Sequence, residues 1–239
     1  MGIEAEFMKN VIATWVYCPP PGTKYMHSKT GANSDTAAVQ ALYWRCAACL
    51  FASSTAVHGP GGARHILFSN LDPPPSIYGV DLPSFLWRHK VEIKKLDEVT
   101  CTPADYYEAW NTQFIVLDVL SALACETTPE DCVMVLDSDC IFCNPVSGAI
   151  HRRLYAEKAL LYTINYGRNY VVNGLSPNQM GQIEWEIEGC ALKESESFLY
   201  QGGELICLRG DQVGVVEAVG RRVFTASMDR YQKKKLKYN

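Results

Sequence analysis

The chain has 239 residues, 48% of them hydrophobic and 20% charged, a length and balance that suit one sizeable α/β domain with its own core and exclude an intrinsically disordered chain. A formal net charge of -4 and a pI near 5.8 exclude the basic footprint that wraps a nucleic-acid backbone. No apolar stretch approaches the ~18 residues a bilayer span requires, and the N-terminus lacks a basic segment leading into a hydrophobic core. The expectation is therefore a cytoplasmic protein with no membrane span and no nucleic-acid partner.

Met1 to Phe7 read as a leader outside the fold, and a single domain is expected over 8–239. Its first strand is Asn10 to Tyr17, β-branched and aromatic, stopped by Cys18-Pro19-Pro20-Pro21-Gly22, which neither strand nor helix can continue. Ser34 or Asp35 can cap a helix from Ala37 to Phe51, rich in Ala, Leu and Gln. His65 to Ser69 reads as a second strand, closed by Asn70-Leu71-Asp72 and three prolines, and Val91 to Leu96 as a third. Thr112 to Ala124 has helical spacing, with Phe114, Leu117, Leu120 and Ser121 on one face. After the break at Thr128-Pro129-Glu130-Asp131, Cys132 to Leu136 is uninterruptedly apolar, as a parallel strand covered on both faces must be. Ala159 to Ile164 and Glu204 to Leu208 are further strands. The alternation predicts an α/β fold with a doubly wound, mostly parallel central sheet flanked by helices, and ligands in such sheets bind beyond the carboxyl ends of the strands. That rule points to the loops after Tyr17, Ser69 and Leu136.

Ten cysteines are present, most of them within apolar runs, as at Cys46, Cys49, Cys132, Cys140 and Cys207, so buried thiols are the simpler account than disulfides. Two C-x-x-C spacings, Cys46 with Cys49 and Cys140 with Cys143, formally supply four zinc ligands. The first pair lies on an expected helix of small and apolar residues without a knuckle glycine, which argues against zinc and against a thioredoxin-like pair. The basic run Lys233 to Lys237 reads as a solvated helix face, with a phosphate or membrane contact as the competing reading.

The most informative segment is Val133-Met134-Val135-Leu136-Asp137-Ser138-Asp139, an apolar strand running straight into two carboxylates. Strand geometry aims residues two apart the same way. Like charges held together at the mouth of a sheet repel, and a cation between them relieves the repulsion. Mn²⁺ or Mg²⁺ suits such oxygen ligands and keeps coordination positions for phosphate and water. The competing reading is that Asp137 and Asp139 only end the strand and cap the next turn.

The frame of four apolar residues, D-x-D, then Cys140-Ile141-Phe142 and Asn144-Pro145, resembles the D-x-D element of nucleotide-sugar-dependent glycosyltransferases with the glycosyltransferase-A fold. Downstream, Phe198 to Ile206 (FLYQGGELI) is similar to that family's aromatic, small-residue stretch along the sugar and acceptor pocket, although a plain turn into the Leu205 strand reads equally well. The resemblance covers about Asn10 to Asp211 in element order, and these two motifs alone are specific.

The resemblance implies a metal-dependent glycosyltransferase, with a UDP-sugar as the favoured donor and a glycan, protein or small molecule as acceptor. It places the nucleotide against Thr14, Trp15, Val16 and Tyr17, with Asn70 and Asp118 as contacts to base or ribose; as a turn residue and a helix-surface residue those two have structural readings as well. It assigns the metal to Asp137 and Asp139, with Asp137 alternatively holding the donor ribose or a metal-bound water, the donor pocket to Ser138, Gln201, Gly202 and Gly203, and catalysis to Glu204 together with Asp139. Glu184, Glu186 and Glu188 are alternative sources of an inverting base. Relatives add a late His or Asp as third metal ligand; Asp229 is the only Asp or His beyond Asp211, so the site reads as incomplete at the C-terminal end, as a truncated domain would. A non-catalytic binder of nucleotide-sugar or glycan on the same fold is the alternative. A haloacid-dehalogenase-type phosphatase, whose nucleophile strand also ends in D-x-D, is the second, weakened by Ile141 and by the motif's mid-chain position.

Overall fold

The computed structural model describes residues 8–19, 35–71, 74–77, 79–103, 106, 112–171, 176–188 and 200–238. Met1 to Phe7, Pro20 to Ser34, Asp72, Phe198 and Leu199 lie outside the described residues, as do the side chains of Glu184, Glu186 and Glu188. In chain order the elements are β1 (Asn10–Val16), α1 (Ala37–His58), β2 (Arg64–Ser69), α2 (Leu82–Arg88), β3 (Val91–Lys95), α3 (Ile115–Glu126), β4 (Cys132–Leu136), α4 (Gly148–Glu157), β5 (Ala159–Ile164), α5 (Pro177–Glu188), β6 (Tyr200–Arg209) and α6 (Gly210–Tyr238).

Six strands form one sheet in the order β3-β2-β1-β4-β6-β5. β3, β2, β1 and β4 run parallel, while β6 is antiparallel to β4 and to β5. The expected mostly parallel sheet flanked by helices is present, with β4 at its centre. The reversal of β6 is not written in its residues, because the short apolar stretch Leu205 to Leu208 reads the same in either direction.

Alternation along the strands divides the core between two faces. Val11, Ala13, Ile66, Phe68, Val133, Val135 and Leu208 pack against Ile115, Val119, Leu120 and Leu123 of α3 and Val213 of α6. The opposite face meets α1 and α2 through Trp44, Ala47, Phe51, Leu82 and Leu86, and α4 through Leu154. Every residue of β4 is buried, as the continuous apolar run requires of a strand covered on both sides. Truncating a fully buried leucine such as Leu120 in a core of this kind costs about 2–5 kcal/mol.

Local chemistry sets the element ends. The Thr36 hydroxyl, rather than Asp35, caps α1 by accepting from the Val39 N–H at 3.4 Å. α1 runs to His58, seven residues beyond the expected Phe51, because Ala52 to Val57 contain no breaker before Gly59. Ser176 and Gln179 exchange bonds (Ser176 N to Gln179 Oε1 at 2.8 Å, Gln179 N to Ser176 Oγ at 3.3 Å), forming a capping box in front of α5 with Pro177 in its first position. The Phe114, Leu117, Leu120, Ser121 face expected for α3 is only half right: Leu117 and Leu120 are buried, Ser121 is exposed, and Phe114 sits against Phe224 of α6.

Candidate active site at the carboxyl edge of the sheet

At the end of β4 the chain turns sharply. The Cys140 N–H donates to the Asp137 carbonyl at 3.1 Å, closing a four-residue turn, and the Ser138 N–H donates to Asp137 Oδ1 at 2.9 Å. Ser138 is buried while Asp137 and Asp139 on either side of it are exposed. The turn thus presents both carboxylates to solvent and drives the serine inward.

Two flanking strands hold this turn. From β1, the buried Thr14 hydroxyl donates to the Leu136 carbonyl at 2.8 Å. From β6, the Glu204 carbonyl accepts the Asp137 N–H at 3.1 Å, continuing the antiparallel register that pairs Leu136 with Leu205. Cross-strand partners in an antiparallel pair share a face, so Asp137 and Glu204 stand together. The segment after the turn is fastened beneath α1: Phe142 N donates to Ser53 Oγ and Val146 N to His58 Nε2, both at 3.0 Å.

The negative field of the turn is visible in its neighbours. The Cys140 thiol is pushed up to about 11, by burial first and then by Asp137, Asp139 and Glu204. Burial, then Asp137 and Asp139, also raises the Tyr43 phenol, and burial and Asp139 raise the Cys46 thiol. Tyr43 and Cys46, one helical turn apart on α1, therefore lie within electrostatic reach of the acidic pair. Sequence reading missed both, placing Cys46 among core thiols; the i, i+3 spacing was available, but nothing in it says which face of α1 meets the turn.

The remaining sequence candidates separate into groups. Val16 is buried, and its carbonyl accepts the Ser69 hydroxyl at 2.7 Å; Trp15 and Tyr17 are half-buried against the α3 side of the core. The Asn70 side chain bridges Cys18 in both directions, accepting its N–H at 2.9 Å and donating to its carbonyl at 2.8 Å, and so fixes the loop leaving β1. Asp118 receives the Thr100 N–H and hydroxyl at 2.6 and 2.7 Å and pairs with Arg221 at 2.7 Å. Its carboxylate is committed to the seam between α3, α6 and the segment after β3.

Gln201, Gly202 and Gly203 lie within β6, so the turn reading of the glycine pair does not apply. The Thr163 hydroxyl donates to Gln201 Oε1 at 3.1 Å. Gly202 is buried, and a Cβ there would collide with Glu204 Oε2 and come within 2.7 Å of the Tyr162 ring, whereas a Cβ on Gly203 would meet nothing within 4 Å. The first glycine makes room for the glutamate; the second does not.

The donor set suits a hard divalent cation, since Asp137 and Asp139 offer carboxylate oxygens only. Among the described residues no group of three or more His, Cys, Asp or Glu side chains forms a ready-made metal cage, so water and substrate oxygens would complete the shell of a cation held there. Nine described cysteines are free thiols, of which Cys18, Cys132 and Cys207 are buried. Cys49, Cys125 and Cys143 are exposed, contrary to the expectation of a buried thiol at Cys49, because position 49 opens onto a surface cavity that α1 shares with Ile77, Val80, Leu82 and Phe85.

No family model matches the chain, and a search of curated proteins finds no match. No described helix is long and apolar enough to cross a membrane.

Proposed function

We propose that this chain is a metal-dependent glycosyltransferase that moves a sugar from a nucleoside-diphosphate donor, with UDP-sugars favoured, to an acceptor hydroxyl or similar nucleophile. The observation that carries the reading is the exposed pair Asp137 and Asp139 at the carboxyl end of the central strand, with Glu204 beside it. A mostly parallel α/β sheet with helices on both faces is compatible with a glycosyltransferase-A-like fold, and ligands of such sheets lie at this edge. Free thiols throughout the described residues fit a reducing compartment such as the cytoplasm.

Asp137 and Asp139 would hold Mn²⁺ or Mg²⁺ together with the donor diphosphate. A metal so bound supplies Lewis-acid neutralisation of charge on the departing nucleoside diphosphate. The protein's own residues do the rest. Glu204, whose carboxylate lies over Gly202, would offer negative charge to the anomeric carbon as positive charge grows there, the logic that operates in glycoside hydrolysis. Thr14 and the Glu204 carbonyl keep the turn rigid, so the carboxylates need little reorganisation. Trp15 and Tyr17 offer aromatic surface for a base.

Thermal-shift measurements with a panel of nucleotide-sugars, with and without Mn²⁺, test this reading. Stabilisation by a diphosphate donor is expected only when metal is present, and is lost in Asp139→Asn. Release of nucleoside diphosphate distinguishes a transferase from an inert binder, and release of phosphate from simple esters would instead mark a phosphatase. Equal thermal shifts in the parent and Asp139→Asn proteins would overturn the site.

A further inference from the structure

α6 begins at the amino edge of β4, where Gly210 N donates to the Asp131 carbonyl at 2.9 Å. It has 29 residues against five in β4, or about 43 Å against roughly 17 Å. Its second half therefore continues past the carboxyl edge of the sheet. Its inner side stays on the body: Val213 is in the core, Arg221 pairs with Asp118, and Phe224 and Tyr231 contact Phe114 and Tyr106 at ring distances of 4.8 and 5.1 Å.

The outer side is different. Val215, Val219 and Val223 recur every four residues and are 54%, 45% and 37% exposed. Arg222, Arg230 and Lys233 are exposed on the same helix, and the sequence continues Lys234, Lys235, Leu236, Lys237. From Arg222 to the last residue there are six Lys or Arg and one acid, Asp229, a net +5 in a chain of net -4. The other 221 residues accordingly carry -9. Such a separation of charge orients a molecule in a field: an anionic surface attracts the end of α6 and repels the body.

We propose that the outer face of α6 docks on an anionic phospholipid surface, lying along the headgroup layer with the valine stripe against the acyl boundary and the basic end among the phosphates. Each half of the feature fits that occupant. An aligned apolar stripe has no use in binding a polyanion alone, and a cluster of cations beside an apolar helix face is the pattern that anionic bilayers attract. An acidic protein or RNA would engage the cations and leave the valines idle. Docked this way, the carboxyl edge with Asp137 and Asp139 faces along the membrane surface, and the helix lies on the bilayer without crossing it.

Co-sedimentation of the full chain with vesicles tests the proposal, needing neither donor nor metal, so its outcome is separate from that of the transferase reading. Binding is expected to vesicles containing about one-third phosphatidylserine and not to pure phosphatidylcholine, and to weaken as salt rises. Replacing Lys233, Lys234, Lys235 and Lys237 together by Gln should lower the partition coefficient about tenfold or more. Val219→Asp, at an exposed position, should lower it as well while leaving the circular dichroism spectrum and Tm of the free protein unchanged. Equal binding to neutral vesicles, no binding to either kind, or binding that the lysines control and Val219→Asp does not affect, as capture by a soluble polyanion would give, overturns it.

Discussion

The Glu204 carbonyl accepts the backbone N–H of Asp137 at 3.1 Å, so two acidic residues distant in sequence are locked together by main chain before their side chains contribute anything. Mutating either side chain leaves this bond in place. The chemistry at the site can therefore be probed without dismantling it.

Gly202 and Gly203 should respond oppositely to the same change. Gly202→Ala forces Glu204 Oε2 and the Tyr162 ring to move, so we expect donor turnover to fall at least about tenfold, the scale of misplacing a positioned group. Gly203→Ala meets open space and should retain activity within about twofold. Steady-state kinetics on both variants, with circular dichroism to verify folding, checks the pair.

Thr14→Val removes the hydroxyl that bonds the Leu136 carbonyl inside the core. The cost should be about 1–2 kcal/mol of unfolding free energy in urea, the scale of a buried hydrogen bond lost without a substitute partner.

Asp118→Asn weakens the attachment of α6. Arg221 and Thr100 lose a charged partner whose side chain is only 13% exposed. The Tm should drop by several degrees, as about 1–2 kcal/mol implies in a domain of this size. Donor affinity, measured by calorimetry, should stay within about twofold, since the carboxylate is committed to the seam; a selective loss of affinity would restore Asp118 as a base or ribose contact.

His65 predicts acid sensitivity. Buried beneath α1 with Nε2 2.8 Å from Ser54 Oγ, its imidazole is held down to about 4, chiefly by burial and then by the neighbouring His58. An unfolded chain takes up this proton near pH 6.5 and the folded chain only near 4, so stability falls as pH drops through that window. The slope should approach 1.4 kcal/mol per pH unit, on the order of 3 kcal/mol in total. Urea titrations at pH 7.5, 6 and 5 should show the decline, and His65→Gln should flatten it.

Much of this fold was legible because the central strands of its sheet are buried on both sides. The run Cys132 to Leu136 can only be a covered strand, and the step from Leu136 to Asp137 marks where cover ends. Ala159–Ile164 carries a weaker signal, since this strand is half-exposed and lacks the unbroken apolar run, yet it too forms where expected. What escaped reading depends on long-range placement. Nothing around Leu205 tells a strand which way to run beside β4. Nothing in Tyr43 or Cys46 says that they lie within the field of the acidic turn, and the Asp118–Arg221 pair joins residues that only the docking of α6 brings together.

The reversal of β6 also gives the chain a closed excursion. It departs at Asp137, builds α4, β5 and α5, and comes back to the same spot at Glu204. Joining ends across so long a loop is slow relative to local steps, so the junction of Asp137 with Glu204 should be among the last parts of the molecule to assemble. The excursion is itself tied to its anchors, because β5 pairs with β6 and Leu154 of α4 packs in the core against β4, so a change inside it reaches the strands that carry the acidic turn.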